Sequence, residues 1–344
     1  MGNVEKSASV AILDSIYKPT KQFAANADIG FTRDFVNQRD TAETTGHGRT
    51  VVSFLAQAGK NIEYNFYRIV LDSGKIPQRS LLKAMGKAHL DHEVDVMNLS
   101  FGYDHSHNGI SCDMPNEPCK VREAAKMAIE DGITIVAAAG NANDAEEGEN
   151  DTAVCCPALL DEVITVGGMY VACTAVPKQG TAAPMPQTQR PLPPLSCWIT
   201  RDNESEGMPI CTGLDCSSVP SDECEDNQMI LEWSWNVRHE PSEIDILAPV
   251  EYPVIGTDGR PRFTSGTSFG SPIVTGAVAE MIACLKSADK EPVPSQIQAA
   301  IANTGKEVDE GDGRYLQAYS ALQRIADRKG IDISVPNKKT DFGM

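Results

Sequence analysis

Short apolar runs alternate with helical repeats along most of the chain. Val10-Ala11-Ile12-Leu13 is apolar throughout and closes at Asp14, the pattern of a strand buried on both faces. Tyr64 to Leu71 predicts a second strand. Val94 to Leu99 predicts a third, running into Ser100-Phe101-Gly102, and Ile133 to Ala139 a fourth, ending at Gly140-Asn141. Val163 to Val166 and Ile244 to Pro249 add two more. Between these runs the apolar residues fall at helical spacing: Val51, Phe54 and Leu55; then Leu81, Leu82, Met85 and Ala88; then Val121, Ala124, Ala125, Ala128 and Ile129, closed by Gly132. Ser295 with Gln298 has the form of a capping box for a last core helix through Ile297, Ala300 and Ile301, stopped at Gly305. Strand, turn and helix in repetition predict an α/β fold with a parallel sheet covered by helices. The functional groups are then expected at the carboxyl ends of the strands.

After Gly168 the pattern breaks. Residues 173–229 hold five cysteines and eight prolines with little periodicity, which predicts a cross-linked insertion within one domain spanning residues 1–330. Residues 331–344 read as a polar C-terminal tail. Cys112, Cys119, Cys173, Cys197, Cys211, Cys216 and Cys224 all lie in polar, Pro- or Gly-punctuated stretches and predict a disulfide set. The alternative is a zinc site through Cys211, Cys216 and Cys224, whose spacings miss the usual C-x2-C pairs.

Composition narrows the partners. The chain has 344 residues and a formal charge of −18, from 30 basic and 48 acidic side chains. Such a balance argues against a nucleic-acid or anionic-membrane surface. No apolar run approaches the ~18 residues of a membrane span. Met1 to Ser9 is polar, with no apolar core of a secretory leader.

Candidate chemistry sits at the predicted strand ends and at one helix start. In Gly266-Thr267-Ser268-Phe269-Gly270-Ser271-Pro272, a turn gives way to an apolar helix, so Ser268 would stand where the helix N-terminus favours negative charge. Taken alone, Ser268 reads as a helix cap. Asp14 alone reads as a turn residue, His47 in Thr45-Gly46-His47-Gly48 as a satisfied polar group, and Asn141 as a turn residue after Gly140. Together they supply a nucleophile (Ser268), a base (His47), an orienting carboxylate (Asp14) and an oxyanion donor (Asn141), the full set for acyl transfer at a serine.

At this point the chain resembles a subtilisin-like serine protease, a subtilase. The resemblance rests on Val10-Ala11-Ile12-Leu13-Asp14-Ser15, on His47-Gly48-Arg49-Thr50-Val51 and on Gly266 to Pro272. Asn98 to Gly102, Ala137 to Asn141, Ile246 to Pro249 and Gly313 to Tyr319 are further family-like landmarks. It implies a subtilisin-like α/β fold, a doubly wound, mostly parallel sheet with helices on both faces, and a serine endopeptidase that cleaves peptide bonds through an acyl-enzyme on Ser268, with no metal in the chemical step. The substrate would pair as an added strand with Ser100, Phe101 and Gly102, while Ala138, Ala139 and Gly140 line a roomy slot for the residue before the cleaved bond. It also implies structural calcium, for which Asp144, Glu146, Glu147, Glu149 and Asp151 form a candidate loop; the alternative is a solvated acidic loop. A propeptide or inhibitor outside this chain, a monomeric state and secretion are expected as well, with a cytoplasmic member as the alternative. Three positions depart from the family pattern: Ile16 where Gly is usual, and Arg49 and Thr50 where Thr and His are usual. They define the rival reading, a catalytically impaired pseudoprotease that binds peptides without turnover. A dinucleotide-binding oxidoreductase is excluded, since Leu13-Asp14-Ser15-Ile16 contains no G-x-G-x-x-G.

Overall fold

The computed structural model describes residues 6–16, 19, 21–36, 46–59, 61–90, 94–102, 119–141, 154–174, 228–233, 243–255, 261–308 and 313–333. The sheet is built outward from β1 (Ala8–Asp14), all seven residues of which are buried. Its parallel neighbours are β3 (Ile62–Arg68) and β4 (Val96–Leu99), and β2 (Asp28–Asp34) closes that edge beyond β3. On the other side follow β5 (Thr134–Ala138), β6 (Ile164–Thr174) and β8 (Ile246–Pro249), all parallel, then the short β12 (Arg314–Tyr315) and the antiparallel β11 (Lys306–Glu307). β7 (Gln228–Trp233) pairs antiparallel with the far half of β6, and β9 (Glu251–Ile255) with β10 (Pro261–Ser265) forms a separate hairpin.

Helices cover both faces, as strands apolar on both sides require. In β1, Val10 and Ile12 face one apolar cluster and Ala11 and Leu13 the other. The first cluster is completed by α2 (His47–Ala58), α5 (Thr267–Ser287), α6 (Pro294–Thr304) and α7 (Ala318–Lys329), the second by α3 (Gln78–Leu90) and α4 (Lys120–Glu130); a short α1 (Lys21–Ala24) precedes β2. α5 is long and apolar enough to cross a membrane, but it is a core helix here, with residues buried on every side. It touches β1, β3, β4, β5, β6 and β8, and packs along α2. That packing is close because Gly276 faces Ala58 and Gly59: a Cβ on Gly276 would stand 2.5 Å from the Ala58 Cβ and 2.8 Å from its carbonyl carbon.

The predicted insertion has a structured stem. β6 continues past Gly168 to Thr174 and pairs with β7, so the two expected boundary residues, Cys173 and Met229, are register partners across that ladder. Residues 175–227 lie outside the described residues, as do 334–344 of the polar tail.

Two expectations are corrected. Ser295 does not cap α6: Val293 is the N-cap and Pro294, whose fixed φ suits a first helical turn, opens the helix one residue earlier. Gln298 Nε2 instead donates to the carbonyls of Asp161 (2.7 Å) and Val163 (3.2 Å), tying α6 to the approach of β6. The disulfide set is not seen: no disulfide occurs among the described residues. Cys119, expected in that set, is a buried thiol that caps α4 by accepting from the Arg122 N–H at 3.5 Å. Its Sγ lies 3.8 Å from that of Cys156, well beyond the ~2.05 Å of a disulfide bond. Cys173 takes its place in β6, and Cys112, Cys197, Cys211, Cys216 and Cys224 lie outside the described residues.

Candidate active site

Asp14 is the last residue of β1, and its side chain is 1% exposed. A buried carboxylate at a strand end needs donors, and two approach this one. The Ser15 N–H donates to Oδ1 at 2.6 Å, and His47 Nδ1 lies 2.9 Å from Oδ1 and 3.2 Å from Oδ2. His47 is the first residue of α2, and the turn that aims it requires glycine: Gly46 has φ 69°. Gly48 is just as constrained. A Cβ there would stand 2.8 Å from both the backbone nitrogen and Cγ2 of Ile16, and the Gly48 N–H donates to Ser15 Oγ at 3.0 Å. The segment Asp14-Ser15-Ile16 is therefore docked on the first turn of α2. Holding Nδ1 against Asp14 directs Nε2 away from it, and a side chain 34% exposed keeps the ring open to a ligand.

Two of the unusual residues find local work. Ile16 is buried against Gly48. Thr50 donates its hydroxyl to the Gly46 carbonyl at 3.1 Å, where the Thr50 N–H also donates, so it tightens the turn that places His47.

Ser268 stands second in α5 and is 9% exposed. Gly266, just before the helix, has φ 151°, a backbone region poor for any residue with a Cβ, and a Cβ there would approach Asn141 Oδ1 to 3.2 Å. Asn141 Oδ1 accepts from the Thr267 N–H at 3.1 Å and from its hydroxyl at 3.4 Å. That leaves the amide NH2 as the donating end of Asn141, beside the first-turn N–H groups of α5. Thr267 Oγ1 also donates to the Gly140 carbonyl and accepts from the Gly140 N–H, both at 3.1 Å. The strand end carrying Asn141 and the helix start carrying Ser268 are thus stitched through one threonine. Phe269 completes the convergence: its ring centroid lies 5.5 Å from that of His47 and 5.7 Å from that of Phe54. Asp14 and His47 bond directly, and His47 and Asn141 each touch a residue adjacent to Ser268.

The expected substrate strand continues β4. Ser100 is 1% exposed, with its hydroxyl turned inward to accept from Asn98 Nδ2 at 2.8 Å, so its backbone rather than its side chain is what an added strand would meet. Phe101 is half-buried against the second cluster and Gly102 is exposed. The methyls of Ala138 and Ala139 are buried and Gly140 is buried as well, so they too offer backbone. Cys155 lies beside these segments. Cys155, whose N–H donates to the Ala139 carbonyl at 2.9 Å, sits against Gly102: a Cβ on Gly102 would meet its Cβ at 2.6 Å, its Sγ at 2.8 Å and the Gly140 Cα at 3.8 Å. Sequence reasoning missed Cys155; its only signal was the Cys155-Cys156 doublet ahead of Pro157. The acidic loop proposed for calcium lies outside the described residues, and no cluster of potential metal ligands occurs among those described.

Known proteins resemble this chain in sequence and in fold. The profile of the subtilase family, Peptidase_S8, matches residues 5–321. The major intracellular serine protease of Bacillus subtilis (strain 168) is 28% identical over 188 residues, 48% of this chain and 52% of that protein. The chain thus spans about half the length of this relative. Among solved structures, the patellamide maturation protease PatA aligns with a TM-score of 0.57 at 18% identity, covering 95% of this chain and 99% of its own. A lanthipeptide protease aligns at 0.59 and 17%, covering 92% and 87%. A cold-adapted subtilisin-like serine proteinase aligns at 0.56 and 17%, covering 91% and 88%. At these identities the structural likeness speaks for the fold.

Proposed function

Since the chain belongs to the subtilase family of serine peptidases, we propose that it is an active serine endopeptidase, cleaving peptide bonds of proteins or peptides through an acyl-enzyme on Ser268. In this reading Ser268 Oγ attacks the scissile carbonyl while His47 Nε2 takes its proton. Asp14 holds the ring by Nδ1 and stabilises the imidazolium that forms. The oxyanion is met by the Asn141 amide and the Ser268 N–H at the positive end of α5. His47 then returns the proton to the leaving amine, and a water repeats the cycle on the ester. The substrate backbone lies along Ser100 to Gly102 as an added strand.

The observation that carries the reading is the Asp14–His47 hydrogen bond at 2.9 Å, formed between a strand end and a helix start with the Phe269 ring packed on the imidazole. A structural ion pair would not need the ring held at the mouth of a serine-bearing helix. Ile16 and Thr50, which favour a binding-only protein on sequence, pack on Gly48 and Gly46, and this weighs against the pseudoprotease reading.

A fluorophosphonate probe tests the proposal. Wild-type protein should be labelled on Ser268 and should cleave casein; Ser268→Ala should lose the label, and His47→Ala should lose nearly all of it. Folded wild-type protein that binds peptide but takes no label and cleaves nothing would leave the pseudoprotease.

A further inference from the structure

A fully buried asparagine in the middle of a parallel sheet is expensive unless every polar atom is answered. Asn98 is such a residue: it is the third position of β4, 0% exposed, paired in register with Ile12 and Val136. Its partners come from two directions. Oδ1 accepts from Thr275 Oγ1 at 2.8 Å and from Ser271 Oγ at 3.2 Å, both on α5, and Nδ2 donates to Ser100 Oγ at 2.8 Å, two residues along its own strand. The Thr275 hydroxyl is shared with the Ser271 carbonyl at 2.9 Å, in the preceding turn of the helix. Ser100, Ser271 and Thr275 are each no more than 1% exposed. Apolar residues at all four positions would fill this space with no polar atom to satisfy, so stability alone does not account for the cluster.

What the cluster joins is informative. Ser268, Ser271 and Thr275 fall at i, i+3 and i+7 of α5, a single stripe of the helix, so the nucleophile lies on the same face as both helical partners of Asn98. Ser100 opens the segment on which an extended substrate would lie. One amide therefore spans from the substrate strand to the nucleophile helix through hydrogen bonds on both sides.

We propose that Asn98 is a positioning residue that fixes the Ser100 to Gly102 strand relative to Ser268, so that a substrate paired with the strand presents its carbonyl at attacking distance from the hydroxyl. The proposal rests on the serine-peptidase reading above. It makes a demand a packing role would not make: the effect of Asn98 must depend on how much of the strand a substrate uses. A short ester, acylating Ser268 without strand pairing, gains little from the register. A peptide of four or more residues before the cleaved bond gains all of it, because small misplacements of a reacting group can cost up to about 10²-fold.

The experiment measures kcat and KM for a graded series, from an acetylated single-residue ester to a pentapeptide anilide, in wild type and Asn98→Leu. The expected result is a fall of about tenfold or more in kcat/KM for the long substrate, mainly in kcat, against about threefold or less for the ester, so that the advantage of length shrinks. Equal losses across the series, tracking a lowered Tm, would overturn the proposal and leave Asn98 a core residue. Should Asn98→Leu fail to fold, Ser100→Ala, Ser271→Ala and their double variant give the same answer. Coupling of severalfold in kcat for the long peptide and none for the ester supports the register, and additivity in both overturns it. Failure of the underlying reading would look different, since wild type itself would then hydrolyse neither substrate nor take the fluorophosphonate.

Discussion

Replacing Gly276 by alanine is the most direct test of how the site acquires its spacing. The substitution has two opposing effects. An alanine inside a helix is favoured over glycine by up to about 1 kcal/mol. Against this, the new Cβ would stand 2.5 Å from the Ala58 Cβ, 2.8 Å from the Ala58 carbonyl carbon and 3.1 Å from the Gly59 nitrogen. Ordinary carbon separations are about 3.5–4.0 Å, so α2 and α5 must part by roughly 1 Å. Overpacking costs about 1–3 kcal/mol, and two of the three opposing atoms are backbone, which no rotamer change can move, so the upper half of that range applies. The net loss is about 1–2 kcal/mol, a Tm lower by roughly 1–3 °C in a chain of 344 residues. Gly86→Ala in α3 is the control, because nothing lies within 4 Å of its Cβ position; it should stabilise by about 0.5–1 kcal/mol. Both are measured by calorimetry on a Ser268→Ala background, which prevents self-digestion from distorting the transition. In the active protein, Gly276→Ala should also lower kcat by up to about 10²-fold, because α2 carries His47 and α5 carries Ser268. Ala58→Gly added to it should recover part of both losses. If Gly276→Ala and Gly86→Ala shift Tm in the same direction, or if kcat is untouched by the former, the crossing does not set the spacing of base and nucleophile.

Other predictions follow from single contacts. Asn141→Ala should lower kcat about 10²–10³-fold with KM little changed, as measured on a peptide anilide, if its NH2 serves the oxyanion and not the ground state as proposed. If the proposed slot for the residue before the cleaved bond lies beside Gly102, Cys155→Gly should raise kcat/KM for peptides with Leu or Phe there relative to Ala, by about tenfold, since the thiol stands against Gly102; an unchanged preference profile would separate Cys155 from that slot. Asp245 has its carboxyl pushed above the usual range, first by burial, although the Thr165 N–H at 2.9 Å and Gln298 at 3.2 Å oppose the shift. A carboxyl with a raised folded pKa binds its proton more tightly folded than unfolded, so its contribution is complete below the unfolded value of about 3.9 and is lost as pH rises through the folded value. The Tm of Asp245→Asn minus that of wild type should therefore be most positive near pH 7 and shrink as pH falls towards 4.

The parts legible in the sequence were those governed by local rules. Val10 to Leu13, Val94 to Leu99 and Ile133 to Ala139 announced central strands because a strand covered on both faces is mostly apolar, and the polar groups that ended them belong to the candidate site. The edges were less legible. β2 alternates exposed and half-buried residues and was not predicted, and the helix at Ala318–Lys329 was not drawn from its pattern, although its cluster residues Ala321 and Ile325 repeat at helical spacing. The capping box failed because Pro294 decides where α6 begins, and a proline at a first turn outweighs a serine one residue later. The cysteines misled for a different reason: Cys119 in a polar stretch looks like half of a cross-link, whereas in the fold it caps α4 beside Cys156. In the sequence Asn98 is only the start of a family-like landmark, with no sign of its partners. An asparagine in a run of apolar residues shows its purpose only when Ser271 and Thr275, 173 and 177 positions away, arrive beside it.

The depth at which α5 lies has a consequence for the timing of synthesis. Ser268 follows Asp14 by 268 − 14 = 254 positions. A growing chain therefore completes the carboxylate and the base long before the nucleophile exists. The helix that brings the serine is also the one that covers one face of β1, β3, β4, β5, β6 and β8, so a truncated chain lacks its core as well as its reactive group. If the proposed activity holds, an incomplete product on the ribosome is neither a folded protein nor a protease, and hydrolytic capacity emerges only when the last third of the chain closes the first two.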